Sequence, residues 1–352
     1  RLVLLVLAMA GVQALIGLVQ YGAGMQGPNL IASEHANAGN AAGTYSSRNN
    51  YAGLMYLALM PCMALYLATL GRLGTRASGV FRQRFLLWSS LRGQQAVVYG
   101  ALALLLVLGA VFSRSRAGIG LTMLGIVVIV VLLSRRIGGK TGISLLGRIF
   151  TVVGSIAVAI GLAPVWQRFS LQDPASDGRW VIFTGVFEAV TQAWPFGLGA
   201  GVFRETFFQW QSGLQASYTI NQAHNSYLEW VYDAGLLAVL LIGLGIWIYL
   251  RRWATLWIAG DWGDFRYLQV GAGVGLGLML LHELVDYNLF VPANMVMFAL
   301  FAAVFLHEHA EPARRRQRGA AGQPSAEVAT SRRERGPMVL PVGGPGAPNP
   351  FM

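Results

Sequence analysis

The sequence predicts an all-α integral membrane protein with about eight transmembrane helices and one large outer loop that contains amphipathic helices. Three observations carry that prediction. Of 352 residues, 55% are hydrophobic and only 12% are charged, about half the roughly 25% charged share of an ordinary soluble domain. The apolar residues gather into runs of about 20, the length a helix needs to cross a bilayer. The basic residues lie between those runs and are concentrated in alternate loops.

The first run, 2–20, follows directly on Arg1. It is too long for the hydrophobic core of a signal peptide and lacks a small-residue cleavage site, so it reads as a spanning helix. Because the chain opens on Arg1 rather than Met, we expect the natural protein to have further N-terminal sequence. The second run, 51–70, holds the single cysteine, Cys62. One cysteine forms neither an internal disulfide nor a thiolate metal cluster, so Cys62 is a packing residue. Runs 96–112 and 117–134 are separated only by Ser113, Arg114, Ser115 and Arg116. They form a tight hairpin, since one long helix would hold two arginines at mid-membrane. Runs at 149–165, 228–250, 267–285 and 290–306 complete the set.

Orientation follows from the loops. Nineteen Lys and Arg residues fall in one alternating set of loops plus the tail, and six in the other. The richer set is cytoplasmic. Segments 21–49, 113–116, 166–227 and 286–289 then face outward, which is the periplasm if the cell has an outer membrane. Of these, 166–227 is the one large enough to carry a catalytic loop. Within it Trp180, Phe183, Val186, Phe187 and Val190 recur at helical spacing and predict an amphipathic helix on the bilayer surface. Residues 1–306 are thus a polytopic membrane domain with a core at about 96–250. The tail, 307–352, is rich in Pro, Gly, Ala and Arg without periodicity, and is expected to be disordered, basic and cytoplasmic. The net charge of +11 therefore reports topology. No basic stripe interleaved with aromatics lies on a soluble unit, which excludes nucleic acid as a partner.

The charged residues on the outer side are the chemical candidates. Arg114 and Arg116 stand at the hairpin apex. Arg114 suits lipid head groups or a ligand equally; Arg116, entering the next helix, suits a phosphate or diphosphate, which a guanidinium grips with two hydrogen bonds. In Asp177-Gly178-Arg179-Trp180, Asp177 is a plausible N-cap, whereas Arg179 opposes the helix dipole and points to an anion at that helix start. The run Pro195-Phe196-Gly197-Leu198-Gly199-Ala200-Gly201 has neither the preceding strand nor the lysine of a nucleotide loop, and reads as a tight turn with close backbone approach. His224, in Ala223-His224-Asn225-Ser226-Tyr227-Leu228-Glu229-Trp230, stands at the outer end of a span. The positive helix end favours the neutral imidazole, which can act as a base. His282 and Asp286, with Glu283 between them, share a helical face at i, i+4; they are either functional or a pair that locks helices together. No carboxylate pair suited to a divalent metal lies on this side, so neither metal nor cofactor is expected.

These motifs, in this order and on one side, resemble the shared domain of bacterial O-antigen ligases and O-antigen polymerases, found also in protein O-oligosaccharyltransferases. The carriers are Ser115-Arg116-Ala117-Gly118, Asp177-Gly178-Arg179-Trp180, Pro195 to Gly199, and His224-Asn225-Ser226-Tyr227-Leu228 followed by Gly235-Leu236. Arg48 to Ala52 and His282 to Pro292 fit the family's earlier and closing spans, so the likeness covers roughly residues 40–306. The resemblance implies a metal-independent, glycosyltransferase-C-like membrane enzyme. It would move a glycan from an undecaprenyl-diphosphate carrier to an acceptor hydroxyl on a glycan, a lipid A-core or a protein, among membrane lipids. Arg116 and Arg179 match the family's diphosphate-holding arginines, and His224 its acceptor-activating histidine. Arg114, Arg48, Asn225, Tyr227, His282 and Asp286 are further substrate-binding candidates. Two departures stand out: Asp233 occupies the place of a usual glutamate, with Glu229 one turn earlier, and the spans are fewer than the family commonly has. The alternative class is a transporter of a small anion such as bicarbonate, which suits internal polar residues. Against it, no inverted repeat or mid-membrane helix break is visible.

Overall fold

A computed structural model gives the fold over residues 1–24, 39–74, 89–134, 136, 178–211, 219–258 and 262–308. Among these residues every regular element is helical. In chain order they are α1 (Leu2–Ala23), α2 (Arg48–Gly74), α3 (Leu91–Phe112), α4 (Arg116–Ser134), α5 (Arg179–Ala193), α6 (Phe203–Thr206), α7 (Ser226–Ile258), α8 (Asp264–His282) and α9 (Pro292–Leu306). Single 3₁₀ turns lie at Phe207–Trp210 and Asn288–Phe290.

Five of these helices, α1, α2, α3, α4 and α7, are long and apolar enough to cross a membrane. The chain is a multi-pass membrane protein. The expected run 267–285 is α8, which has the length but is diluted by glycine; α9 is apolar but has 15 residues. The expected span 149–165 and the tail beyond 308 lie outside the described residues. Helix α7 runs past Arg251 and Arg252 to Ile258, while α8 stops at His282. There the chain tightens, with Val285 N donating to His282 O (3.0 Å).

Helix α2 is the axis. It packs against α3, α4 and α8, and Tyr51, Met55, Tyr56, Leu57 and Met60 are fully buried along it. With lipid on the outside as apolar as the core, helices associate through close packing, which small residues permit. Helix α8 shows how. A Cβ added at Gly271 would lie 2.6 Å from Pro61 Cα and one at Gly275 3.1 Å from Leu57 O, both on α2. Added at Gly273 it would lie 2.6 Å from the Phe305 ring, and at Gly277 2.5 Å from Tyr249 Oη. Alternate glycines therefore serve opposite faces, making α8 a slim strut between α2 and the pair α7 and α9.

A second, smaller core joins Ile182, Val186 and Ala189 of α5 to Phe203, Phe207, Ala223 and Tyr232. The predicted apolar stripe of this helix divides: Val186 packs inward with Ile182 and Ala189, whereas Trp180 and Phe187 are exposed. The packed face is set by Gly185, which lets α5 lie against the Trp210 carbonyl.

The helix ends fall into two sets. At one end Ala41 N donates to Phe112 O (2.9 Å), Tyr45 Oη to Asn294 Oδ1 (2.9 Å) and Ser226 N to Glu283 O (2.9 Å). At the other, Arg72 pairs with Asp264 (2.5 Å), Arg252 Nε donates to Phe305 O (2.8 Å) and Arg136 covers the Trp262 ring. The outward candidates of the sequence thus share one end, and the basic loop residues the other.

Candidate functional site

The hairpin apex is closed by its own serines. Ser113 Oγ donates to Ala110 O (2.6 Å) and accepts from Ser115 N (3.1 Å), and Ser115 Oγ accepts from Gly118 N (3.2 Å), capping α4. Arg114 between them is left-handed at φ 56°, the conformation that reverses the chain. The cap makes Arg116 the first residue of α4, half-buried.

Arg48 and Arg179 also open helices, α2 and α5. A cation at the positive end of a helix is disfavoured by about 0.3–1 kcal/mol, so each needs a compensating partner. Arg48 Nη1 donates to Asn40 Oδ1 (3.3 Å). Arg179 Nη1 donates to Val285 O (2.6 Å), and Nη2 lies 3.8 Å from Asp286 Oδ2. The expected anion at this helix start is therefore met by an internal carboxylate, while the guanidinium keeps 28% of its side chain exposed. Asp177, the expected cap, lies outside the described residues.

The glycine-rich run wraps the break in α7. Gly235 sits at φ 53°, ψ −128°, open only to glycine. Leu236 N donates to Pro195 O (2.8 Å), Leu198 N to Tyr232 O (2.9 Å) and Gly199 N to Asp233 O (2.9 Å). Gly201 N donates to Asp233 Oδ2 (2.8 Å). These amides face α7, so the run is a close-approach turn, and Asp233 is the residue that ties it down.

His224 follows in a strained turn, at φ 52°, a cost of about 1–3 kcal/mol that the surroundings must fix. They do so on both sides. Ala223 N donates to Glu229 Oε2 (2.7 Å) before it. After it, Asn225 Oδ1 accepts from Leu228 N (3.1 Å) as the cap of α7. Ser226 N and Oγ bond the Glu283 carbonyl and carboxylate, and Oγ also lies 3.3 Å from Asp286 O. The imidazole packs edge-on to Tyr287, ring centres 5.1 Å apart. Burial, and next the neighbouring Asp286 carboxylate, hold the Tyr287 phenol above its usual range, so it is a neutral hydroxyl around pH 7.

The His282–Asp286 pairing is corrected. Because α8 ends at His282, the two residues diverge: His282 turns inward to Tyr56 Oη (2.9 Å), and Asp286 turns to Asn49 Nδ2 (2.7 Å) and Arg179. Both are buried. Tyr227 Oη donates to Leu280 O (2.8 Å), a tie between α7 and α8. The start of α4 lies on α2, where a Cβ at Gly118 would meet Ala52, one turn from Arg48 and Asn49. Contacts thus link Asn49 and Arg179 to Asp286, and Tyr287, the next residue, to His224, while the start of α4 lies on α2 nearby. Arg48 points away from these contacts, toward Asn40. Ser226, Asn49 and Tyr287 were not singled out by the sequence; the only signal for them is a polar or aromatic residue abutting a span.

Two apolar grooves flank α7. One, of about 590 Å³, runs from Tyr227, Trp230 and Asp233 down to Phe305. The other, of about 880 Å³, lies between α4, α7 and α8, with Leu124, Val128, Ile246 and Leu281 among its walls. Among the described residues no group of three or more His, Cys, Asp or Glu is arranged to hold a metal ion.

A family model described as O-antigen ligase matches residues 101–243. That segment contains Arg114, Arg116, Arg179 and His224, whereas Glu283, Asp286 and Tyr287, which complete their surroundings, lie beyond it. No curated protein and no solved structure matches the chain.

Proposed function

We propose, from the match of residues 101–243 to a family model described as O-antigen ligase, that this chain is a membrane enzyme of glycan transfer. A glycan passes from an undecaprenyl-diphosphate carrier to an acceptor hydroxyl at the outer face of the inner membrane. The acceptor oxygen bonds to the anomeric carbon as the bond from that carbon to the diphosphate oxygen breaks. His224 takes the hydroxyl proton, a role worth typically 10²–10⁴-fold. Arg116 and Arg179 bind the diphosphate as it gains negative charge.

The observation that supports this is the link between His224 and Arg179 through two adjacent residues. The His224 imidazole packs on Tyr287, and the preceding residue, Asp286, faces the Arg179 guanidinium. That link lies at the bundle end where helices α2, α4 and α5 begin, which supports a base and an anion binder at one site. The grooves beside α7, which Tyr227 helps to line, are apolar and suit a polyprenyl chain in chemistry.

The test is transfer from a synthetic polyprenyl-diphosphate-linked glycan in proteoliposomes, with divalent metal chelated. His224→Ala is expected to lower transfer by about 10²–10⁴-fold while its thermal unfolding stays near that of the wild type. Transfer by His224→Ala at the wild-type rate would sink the base assignment. A wild type that never transfers but moves labelled bicarbonate across the vesicle wall would replace the enzyme with a transporter.

A further inference from the structure

We propose that α5 and the turn that follows it form an interfacial anchor, with Trp180, Phe187, Trp194 and Phe196 seated in the head-group boundary of the bilayer. At 3.6 residues per turn, Trp180, Phe187 and Trp194 recur every seventh position and fall on one stripe, with Phe183 beside them. Their exposure is 58% for Trp180, 65% for Phe187 and 50% for Trp194. To one side of the stripe is the buried face, Ile182, Val186 and Ala189. To the other are the exposed polar residues Thr184, Glu188, Thr191 and Gln192. A helix with three such sectors (protein, aromatic, water) is built to lie along a membrane surface, since aromatic rings settle at the boundary between head groups and acyl chains.

The depth is fixed independently by α7. The apolar stretch of α7 ends at Arg251 and Arg252. About 20 residues at 1.5 Å each span the hydrocarbon, which puts its far edge close to Asp233 and Gly235. That is where the turn after α5 is bonded, through Leu236 N to Pro195 O and Gly199 N to Asp233 O. Phe196, 86% exposed, therefore sits beside Leu236 and Leu237, the first exposed leucines of α7's lipid-facing surface. The aromatic stripe continues a surface that already faces lipid, which singles out the bilayer as its occupant. The anchor holds Arg179, the first residue of α5, near the level of lipid phosphates. That consequence rests on the proposed transfer; the depth itself does not.

Spin labels at 187, 194 and 196, on a Cys62→Ala background in lipid nanodiscs, test the depth without any glycan. We expect collision with oxygen to exceed collision with a water-soluble nickel chelate several-fold, as for a label at Leu240, while labels at Glu188 and Gln192 show the reverse. All five exposed positions tolerate a label without repacking the core. Labels at 187, 194 and 196 that read like those at 188 and 192 would overturn the anchor, whatever the transfer assay gives.

Discussion

At the scale of residues, the site is defined by what each charge is bonded to. Arg179 gives one nitrogen to the Val285 carbonyl and turns another toward Asp286, and part of its side chain is exposed. A lysine there could keep the carbonyl bond but not a bidentate grip. Arg179→Lys is therefore expected to leave the melting temperature nearly unchanged. It should lose a charge-assisted bond to the diphosphate worth about 1.5–3 kcal/mol, or roughly 10- to 100-fold in transfer at low donor concentration. Equal donor dependence in the two proteins would remove Arg179 from diphosphate binding. Tyr227 and Asn225 carry structural bonds as well: the Tyr227 hydroxyl donates to a carbonyl of α8, and the Asn225 side-chain oxygen caps α7.

At the scale of elements, α7 is the decisive piece, because its break at Gly235 lets the turn after α5 close on it. A Cβ at Gly235 would collide with the Pro195 carbonyl oxygen, and its backbone conformation alone costs a side chain about 1–3 kcal/mol. Gly235→Ala should loosen α5 and its turn from α7 while the bundle around α2 stays folded. Hydrogen exchange would show this as faster exchange at Leu198, Gly199 and Leu236, with α2 and α8 unaffected. Unchanged protection at those three amides would mean that the turn is held by something other than α7. The aromatic cluster of Phe203, Phe207 and Tyr232, with ring centres 4.6 and 5.0 Å apart, is the apolar reason the two pieces stay together.

At the scale of the molecule, the helix ends sort the charges into two opposite faces. The bulk of Lys and Arg, read by position, supports our proposal that the face of Arg72, Arg136, Arg252 and Arg266 is cytoplasmic. Glu205 and Ile258 are exposed residues on opposite sides in that arrangement. On a Cys62→Ala background, Glu205→Cys should react with a membrane-impermeant maleimide in spheroplasts, and Ile258→Cys only after permeabilisation. The opposite pattern would invert the topology and put His224 in the cytoplasm.

By itself the sequence determined the membrane class, the helical character of its apolar runs and the resemblance that the match over residues 101–243 supports. Each depends on composition or on spacing along the chain, which survive without knowledge of contacts. Apolar runs have to cross a bilayer because no other fold satisfies their backbone in lipid, and arginines have to collect where they can reach water. The runs read as spans at 267–285 and 290–306 are the helices α8 and α9, but glycine lowers the apolar signal of the one and the other has only 15 residues, so neither counts among the five helices long and apolar enough to cross. Only the tertiary structure decided that Asp286 leaves His282 and joins Arg179, that the turn after α5 docks on Gly235, and that Ser226 and Tyr287 bracket His224. These pairings join residues tens to hundreds of positions apart, at points where helices stop. Periodicity carries information only while a helix continues, so where the helix ends the partners are chosen by packing.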